Sequence, residues 1–128
     1  MGSSRVVVDT SIFIEYLRAK EKKNTDLYKI PSSKTIYISS VTLYELLMGA
    51  TNDQKWKDVR LLTEDIIVLP FDEEVSIKAS GLYHDLRKVN KMIEFRDIFI
   101  AATCLVHSLP IITTNKNHFQ RIEGLEVI

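Results

Sequence analysis

The chain has 128 residues, 45% hydrophobic and 27% charged, which suits one domain with a core of its own and leaves no room for two. Basic and acidic side chains number 17 each, so a surface that binds polyanions by bulk attraction is excluded, although a local basic rim is not. A single cysteine, Cys104, rules out a disulfide framework or a thiolate metal site and fits a reducing compartment. No apolar run approaches the ~18 residues of a membrane span, and no signal peptide is visible, so no membrane association and a cytoplasmic location are expected.

Met1 to Ser4 (MGSS) reads as partly a cloning remnant and is set aside; the whole chain, 1–128, is taken as one domain. In RVVVDTSIFIEYL, three β-branched residues, Val6 to Val8, run into Asp9. Ile12, Phe13, Tyr16 and Leu17 then follow a helical spacing. The segment predicts a buried parallel strand that stops at Asp9, with a helix starting at once. Ligands of open α/β sheets sit just outside the carboxyl ends of the strands, which is where Asp9 falls. Capping of the helix by Asp9 or Thr10 explains an isolated aspartate there equally well.

Lys20 to Lys23 is a solvated charge run, and Asn24 or Thr25 caps a short helix that Pro31 ends. Thr35 to Ser39 alternates as a second strand. Ser39 or Ser40 opens the next helix, with Leu43, Leu46, Leu47 and Ala50 on one face and Val41, Tyr44 and Met48 covering much of the rest. Glu45 is thus a carboxylate on a helix apolar nearly all round, costly to bury without a partner. The competing reading is a capping box, Thr42-x-x-Glu45.

Asn52-Asp53 caps a helix over Gln54 to Thr63, with Trp56, Val59 and Leu62 or Leu61 inward. Ile66 to Leu69 predicts a fully apolar third strand ended by Pro70. Asp72, Glu73 and Glu74 start a long helix to about Lys91, with Val75, Ala79, Leu82, Tyr83, Leu86 and Val89 inward. From Ile98 to Val106 only Thr103 is notably polar, which predicts a helix buried in the centre of the domain with Asp97 at its start. Pro110 to Thr114 reads as the fourth strand, Asn115 to Phe119 as a turn and short helix, and Leu125 to Ile128 as a final short strand. The alternation predicts an α/β three-layer sandwich: a mostly parallel central sheet of four to five strands with helices on both faces.

Asp9, Glu45 and Asp97 all fall just past a strand or at the start of a buried helix, on one edge of such a sheet. Carboxylates a few ångströms apart raise each other's pKa, and a hard divalent cation resolves the conflict. Oxygen ligands without a Cys or His cluster favour Mg²⁺ or Mn²⁺ over Zn²⁺. Such a site can activate water and neutralise a phosphate, the chemistry of phosphodiester hydrolysis.

VVVDTSIFIEYL, SSVTLYELLMGA, FRDIFIAATCL and IITTNKNHF, in this order, resemble PIN-domain ribonucleases, most closely the VapC-type toxins of toxin–antitoxin pairs, over nearly the whole chain. The resemblance implies a PIN-like fold and an endoribonuclease using Mg²⁺ or Mn²⁺. Asp9 and Asp97 match the family's metal-binding aspartates, Glu45 the acid that holds metal or activates water, and Thr10 and Ser11 hydroxyls that orient the loop. Asn115 stands where the family often has a fourth acid, bringing a carbonyl but no charge, and Glu94 is a candidate to compensate. Lys116, His118, Arg96 and Arg121 are candidates to meet RNA phosphate. A small antitoxin and a homodimer are the implied partners, with Phe13, Tyr16, Leu27 and Tyr28 suited to apolar contacts.

Two further readings, one enzymatic and one a non-catalytic signalling module, fit poorly. A phosphatase with an aspartate nucleophile needs a second acid where Ser11 stands, and a receiver domain needs an acidic pair before the second strand, which is absent. A catalytically inert PIN-like module that binds RNA or protein is the alternative that Asn115 leaves open.

Overall fold

The computed structural model describes residues 4–128. Four parallel strands form the central sheet in the order β3-β2-β1-β4: β1 Arg5–Val8, β2 Thr35–Ser39, β3 Ile67–Leu69 and β4 Ile111–Ile112. The connecting helices are α1 Thr10–Arg18, α2 Asp26–Lys29, α3 Ser40–Met48, α4 Asp53–Thr63, α5 Glu73–Lys88, α6 Phe95–Val106 and α7 Lys116–Phe119. Parallel register pairs Val6 with Ile36 and Val7 with Ile111.

Because successive side chains of a strand point to opposite faces, β1 feeds two cores. Val7 packs with residues of α5 and α6, including Leu82, Leu86, Ile98 and Ala102. Val6 and Val8 pack with Ile12, Phe13, Leu46 and Val59 from α1, α3 and α4. All three valines are fully buried, as an interior parallel strand requires. Helix α6 is buried along most of its length, from Asp97 and Ile98 through Ile100 to Cys104, as its composition predicts.

Several expectations are corrected at the periphery. Ile67 and Val68 are exposed because β3 is an edge strand with only one neighbour, not an enclosed one. Trp56 and Leu61 face solvent, and only Val59 and Thr63 of α4 are buried. Val89 lies past the end of α5 and is exposed, ahead of Asn90 at a positive φ of 55°. The fourth strand is just two residues long, and the C-terminal segment contributes a single parallel bridge, Val127 to Ile111, in place of a strand. Phe13 is wholly buried and unavailable to a partner, whereas Tyr28 is exposed. The reading of Met1 to Ser4 lies outside the described residues except for Ser4, whose carbonyl accepts from the Thr35 N–H at 2.7 Å and extends the sheet ladder.

The start of α3 is a side-chain cap. Ser39 Oγ accepts from the Thr42 N–H at 3.0 Å, so the capping box with Thr42 as cap is not formed and Glu45 lies in the second turn. Ser39→Ala is expected to cost about 1 kcal/mol, lowering Tm by roughly 4 °C in a thermal melt followed by circular dichroism.

Candidate active site

Asp9 ends β1 and is the residue before α1, but its side chain makes no capping hydrogen bond. The capping explanation therefore fails. The carboxylate is 2% exposed and is held from two directions. Ser11 Oγ donates to Asp9 Oδ2 at 2.7 Å, and Thr113 Oγ1, beyond the end of β4, donates to the same atom at 2.8 Å. Among the described residues nothing donates to Oδ1. That atom is not sealed in either, since the one buried side-chain polar atom found without a partner among the described residues is His107 Nε2.

Glu45 reaches the same place from α3. Thr10 Oγ1 donates to its Oε1 at 2.7 Å and contacts Thr42 Oγ1 at 3.0 Å. Its Oε2 accepts from Arg96 Nη1 at 3.0 Å. Asp97, in the first turn of α6, is 4% exposed and pairs through Oδ2 with His118 Nδ1 at 2.8 Å. Three elements remote in sequence thus bring Asp9, Glu45 and Asp97 to one open cavity of about 380 Å³ at the carboxyl edge of the sheet, lined also by Ser11, Glu15, Arg18, Arg96 and Asn115.

The supporting residues divide. Thr10 and Ser11, expected to orient the loop, donate instead to Glu45 and Asp9, and Asn115 lines the cavity. Glu94 does not join the acids. It precedes α6, is largely exposed, and forms an ion pair with Arg96, its Oε2 2.9 Å from Nε. Arg96 is engaged by two carboxylates, and His118 by Asp97, so neither is a free surface side chain. Lys116 borders a separate shallow depression with His118 and Asn117. Arg121 is a structural tie, donating to the Met92 carbonyl at 3.0 Å. Sequence reading missed Thr113 and Thr42. The signal for Thr113 was its place just past β4, beside the end of β1.

Four carboxylates and two guanidinium groups line the cavity, leaving it formally two charges negative. Burial pushes the Asp97 carboxyl above its ordinary value; the hydrogen bond from His118 pulls the other way, and the Asp9 charge adds to the rise. Burial disfavours the Arg96 charge, but Glu45, Glu94 and Asp97 outweigh it and hold the guanidinium above its usual value. These features fit a cation. Hard oxygen donors converge, the charge is in excess, and Asp9 Oδ1 takes no hydrogen bond. Among the described residues, however, no three Asp, Glu, His or Cys side chains form a ready-made cluster. Such a lining would suit a strongly hydrated hard cation, held through one or two carboxylates, better than a cation that needs a full cage of side chains.

A PIN domain family model matches residues 6–125. The chain belongs to the PIN domain family and, within it, to the VapC group. Ribonuclease VapC1 of Rickettsia felis is 33% identical over 131 residues, covering 96% of this chain and 94% of that protein. Ribonuclease VapC1 of Methanocaldococcus jannaschii is 28% identical over 126 residues, covering 97% and 87%. Among solved structures, VapBC-1 from nontypeable Haemophilus influenzae superposes with a TM-score of 0.83 at 26% identity, covering 97% of this chain and 96% of that one. VapBC2 from Rickettsia felis, bound to a promoter DNA fragment, shares the fold with a TM-score of 0.84 at 21% identity and 97% coverage of both chains.

A carboxyl whose pKa is raised on folding contributes stability below its unfolded pKa of ~3.9 and loses it as pH rises through the folded value. Ionised Asp97 is therefore a burden on the metal-free fold at neutral pH, and Asp97→Asn is expected to melt a few degrees higher than the parent at pH 7 in EDTA. The difference should shrink toward pH 4. A variant that melts lower at every pH would make Asp97 chiefly a structural partner of His118.

Proposed function

We propose that this protein is an endoribonuclease, the toxin of a VapBC-type toxin–antitoxin pair, that hydrolyses RNA phosphodiester bonds with Mg²⁺ or Mn²⁺ held by Asp9 and Asp97 and assisted by Glu45. The observation that carries this reading is the convergence of those three carboxylates on one open, net-negative cavity. It is supported by relatives named ribonucleases along nearly their whole length. A bare cavity of this charge would repel a phosphodiester. A bound divalent cation would reverse that, neutralise the attacked phosphate and make bound water more acidic.

The chain's own residues hold the acids in place. Ser11 and Thr113 fix Asp9 by its Oδ2 and leave the other oxygen to the cavity. Thr10 aims Glu45 from the adjoining turn. His118 restrains Asp97 from α7. Asn115 supplies a carbonyl at the rim without charge, and Lys116 stands beyond it, where an RNA backbone leaving the cavity would pass.

The partners follow from the same reading. A neighbouring groove, lined by Ile14, Leu17, Leu46 and Val59 and sharing Arg18 and Glu45 with the cavity, is where a small antitoxin would reach the site. The protein would act as a cytoplasmic homodimer. Among the described residues no helix is long and apolar enough to cross a membrane.

With RNA and millimolar Mn²⁺, cleavage is expected that EDTA stops and Asp9→Asn slows by roughly 100-fold or more. Mn²⁺ should also raise Tm by several degrees, because a ligand at 100 times its Kd stabilises by about 2.7 kcal/mol; Asp9→Asn should remove that shift. The rival reading, an inert PIN-like module that binds RNA or protein, draws on the occupation of Glu45 by Arg96. Metal-independent RNA binding, with neither cleavage nor a metal-induced shift, would establish it instead.

A further inference from the structure

Arg96 lines the cavity of the proposed reaction centre, and its geometry is that of a bridge. Its Nη1 lies 3.0 Å from Glu45 Oε2 inside the cavity, and its Nε lies 2.9 Å from Glu94 Oε2 outside it. The Glu45 side chain is 10% exposed, whereas those of Arg96 and Glu94 are 55% and 60% exposed. A solvent-facing arm therefore reaches in to cover a buried carboxylate. With Thr10 on Oε1 and Arg96 on Oε2, both oxygens of Glu45 are engaged, while Asp9 keeps one oxygen free.

We infer that Arg96 is a built-in counter-ion that occupies Glu45 in the resting protein and transfers to the RNA phosphate on substrate binding, so that substrate and metal bind with positive coupling. The inference rests on the nuclease reading above and adds a positioning residue to it. The guanidinium is more than half exposed, so its contact with Glu45 is open to exchange from the solvent side. Arginine's planar fork matches a phosphodiester as well as a carboxylate, so the exchange loses little geometry. Glu94 lies 2.9 Å from Nε, outside the cavity, and so does not compete with Glu45 or a phosphate for Nη1. Glu45 freed in this way would be available as a third oxygen donor, beside Asp9 and Asp97, when the substrate is present.

Mn²⁺ binding to the full chain, measured by calorimetry, tests this without any turnover. Arg96→Gln is expected to tighten Mn²⁺ binding by roughly 5- to 10-fold, within the usual range of coupling between sites. The same substitution in a Glu45→Gln background is expected to change nothing, and Arg96→Lys, which keeps the charge, should bind Mn²⁺ nearly as the parent does. Dimethyl phosphate, a minimal phosphodiester anion, should tighten Mn²⁺ binding to the parent protein but not to Arg96→Gln. Trimethyl phosphate, its uncharged counterpart at matched ionic strength, should be without effect on either. A circular-dichroism melt establishes that each variant is folded. Unchanged or weaker Mn²⁺ binding by Arg96→Gln, or phosphate coupling that survives in that variant, would overturn the inference while leaving the nuclease reading in place. Absence of Mn²⁺ binding that depends on Asp9, in every variant, would overturn both.

Discussion

The burial of one carboxylate, Asp9, at the end of the second-from-edge strand is the constraint around which the rest of the site is arranged. A buried ionised group costs several kcal/mol unless it is met by hydrogen-bond donors. Here the donors are two hydroxyls, one from the turn that follows β1 and one from the segment that follows β4. Both strands must be laid side by side for that to happen, which the pairing of Val7 with Ile111 and Val8 with Ile112 achieves. The sheet register and the orientation of the carboxylate are thus one fact seen at two scales.

The same economy governs the other two acids. Each has a private partner drawn from a different element: Thr10 and Arg96 for Glu45, His118 for Asp97. Dispersing the partners lets three carboxylates share one cavity without collapsing onto a common cation. It also leaves an excess of negative charge. Functional sites commonly retain such unfavourable electrostatics, at some expense of stability. The raised pKa of Asp97, caused by burial and sharpened by Asp9, is the local expression of that conflict.

Much of this was legible in the residues. The apolar run into Asp9, the all-round apolar character of Ile98 to Val106 and the strand–helix alternation each follow from periodicity, and the structure bears them out. So does the meeting of Asp9, Glu45 and Asp97 at one edge, because in a parallel sheet the ends of strands share an address. What was not legible depends on who sits next to whom. The hydrophobicity of Ile67 and Val68 does not reveal that β3 is an edge strand, and Trp56 reads as a core residue until α4 is seen to turn it outward. Glu94 is expected to compensate for the missing charge at Asn115, but it precedes the first turn of α6 and pairs with Arg96. Thr113 carries no chemical signature in isolation; its role exists because β4 lies against β1.

The distance along the chain between Asp9 and Thr113 has its own biological weight. The two residues are separated by 104 positions, and His118 restrains Asp97 from still closer to the C-terminus. A polypeptide emerging from the ribosome exposes its first aspartate early, yet that carboxylate has only one of its two restraints until the last strand is synthesised and docked. The arrangement of the first aspartate is therefore completed only when nearly the whole chain has been made and folded.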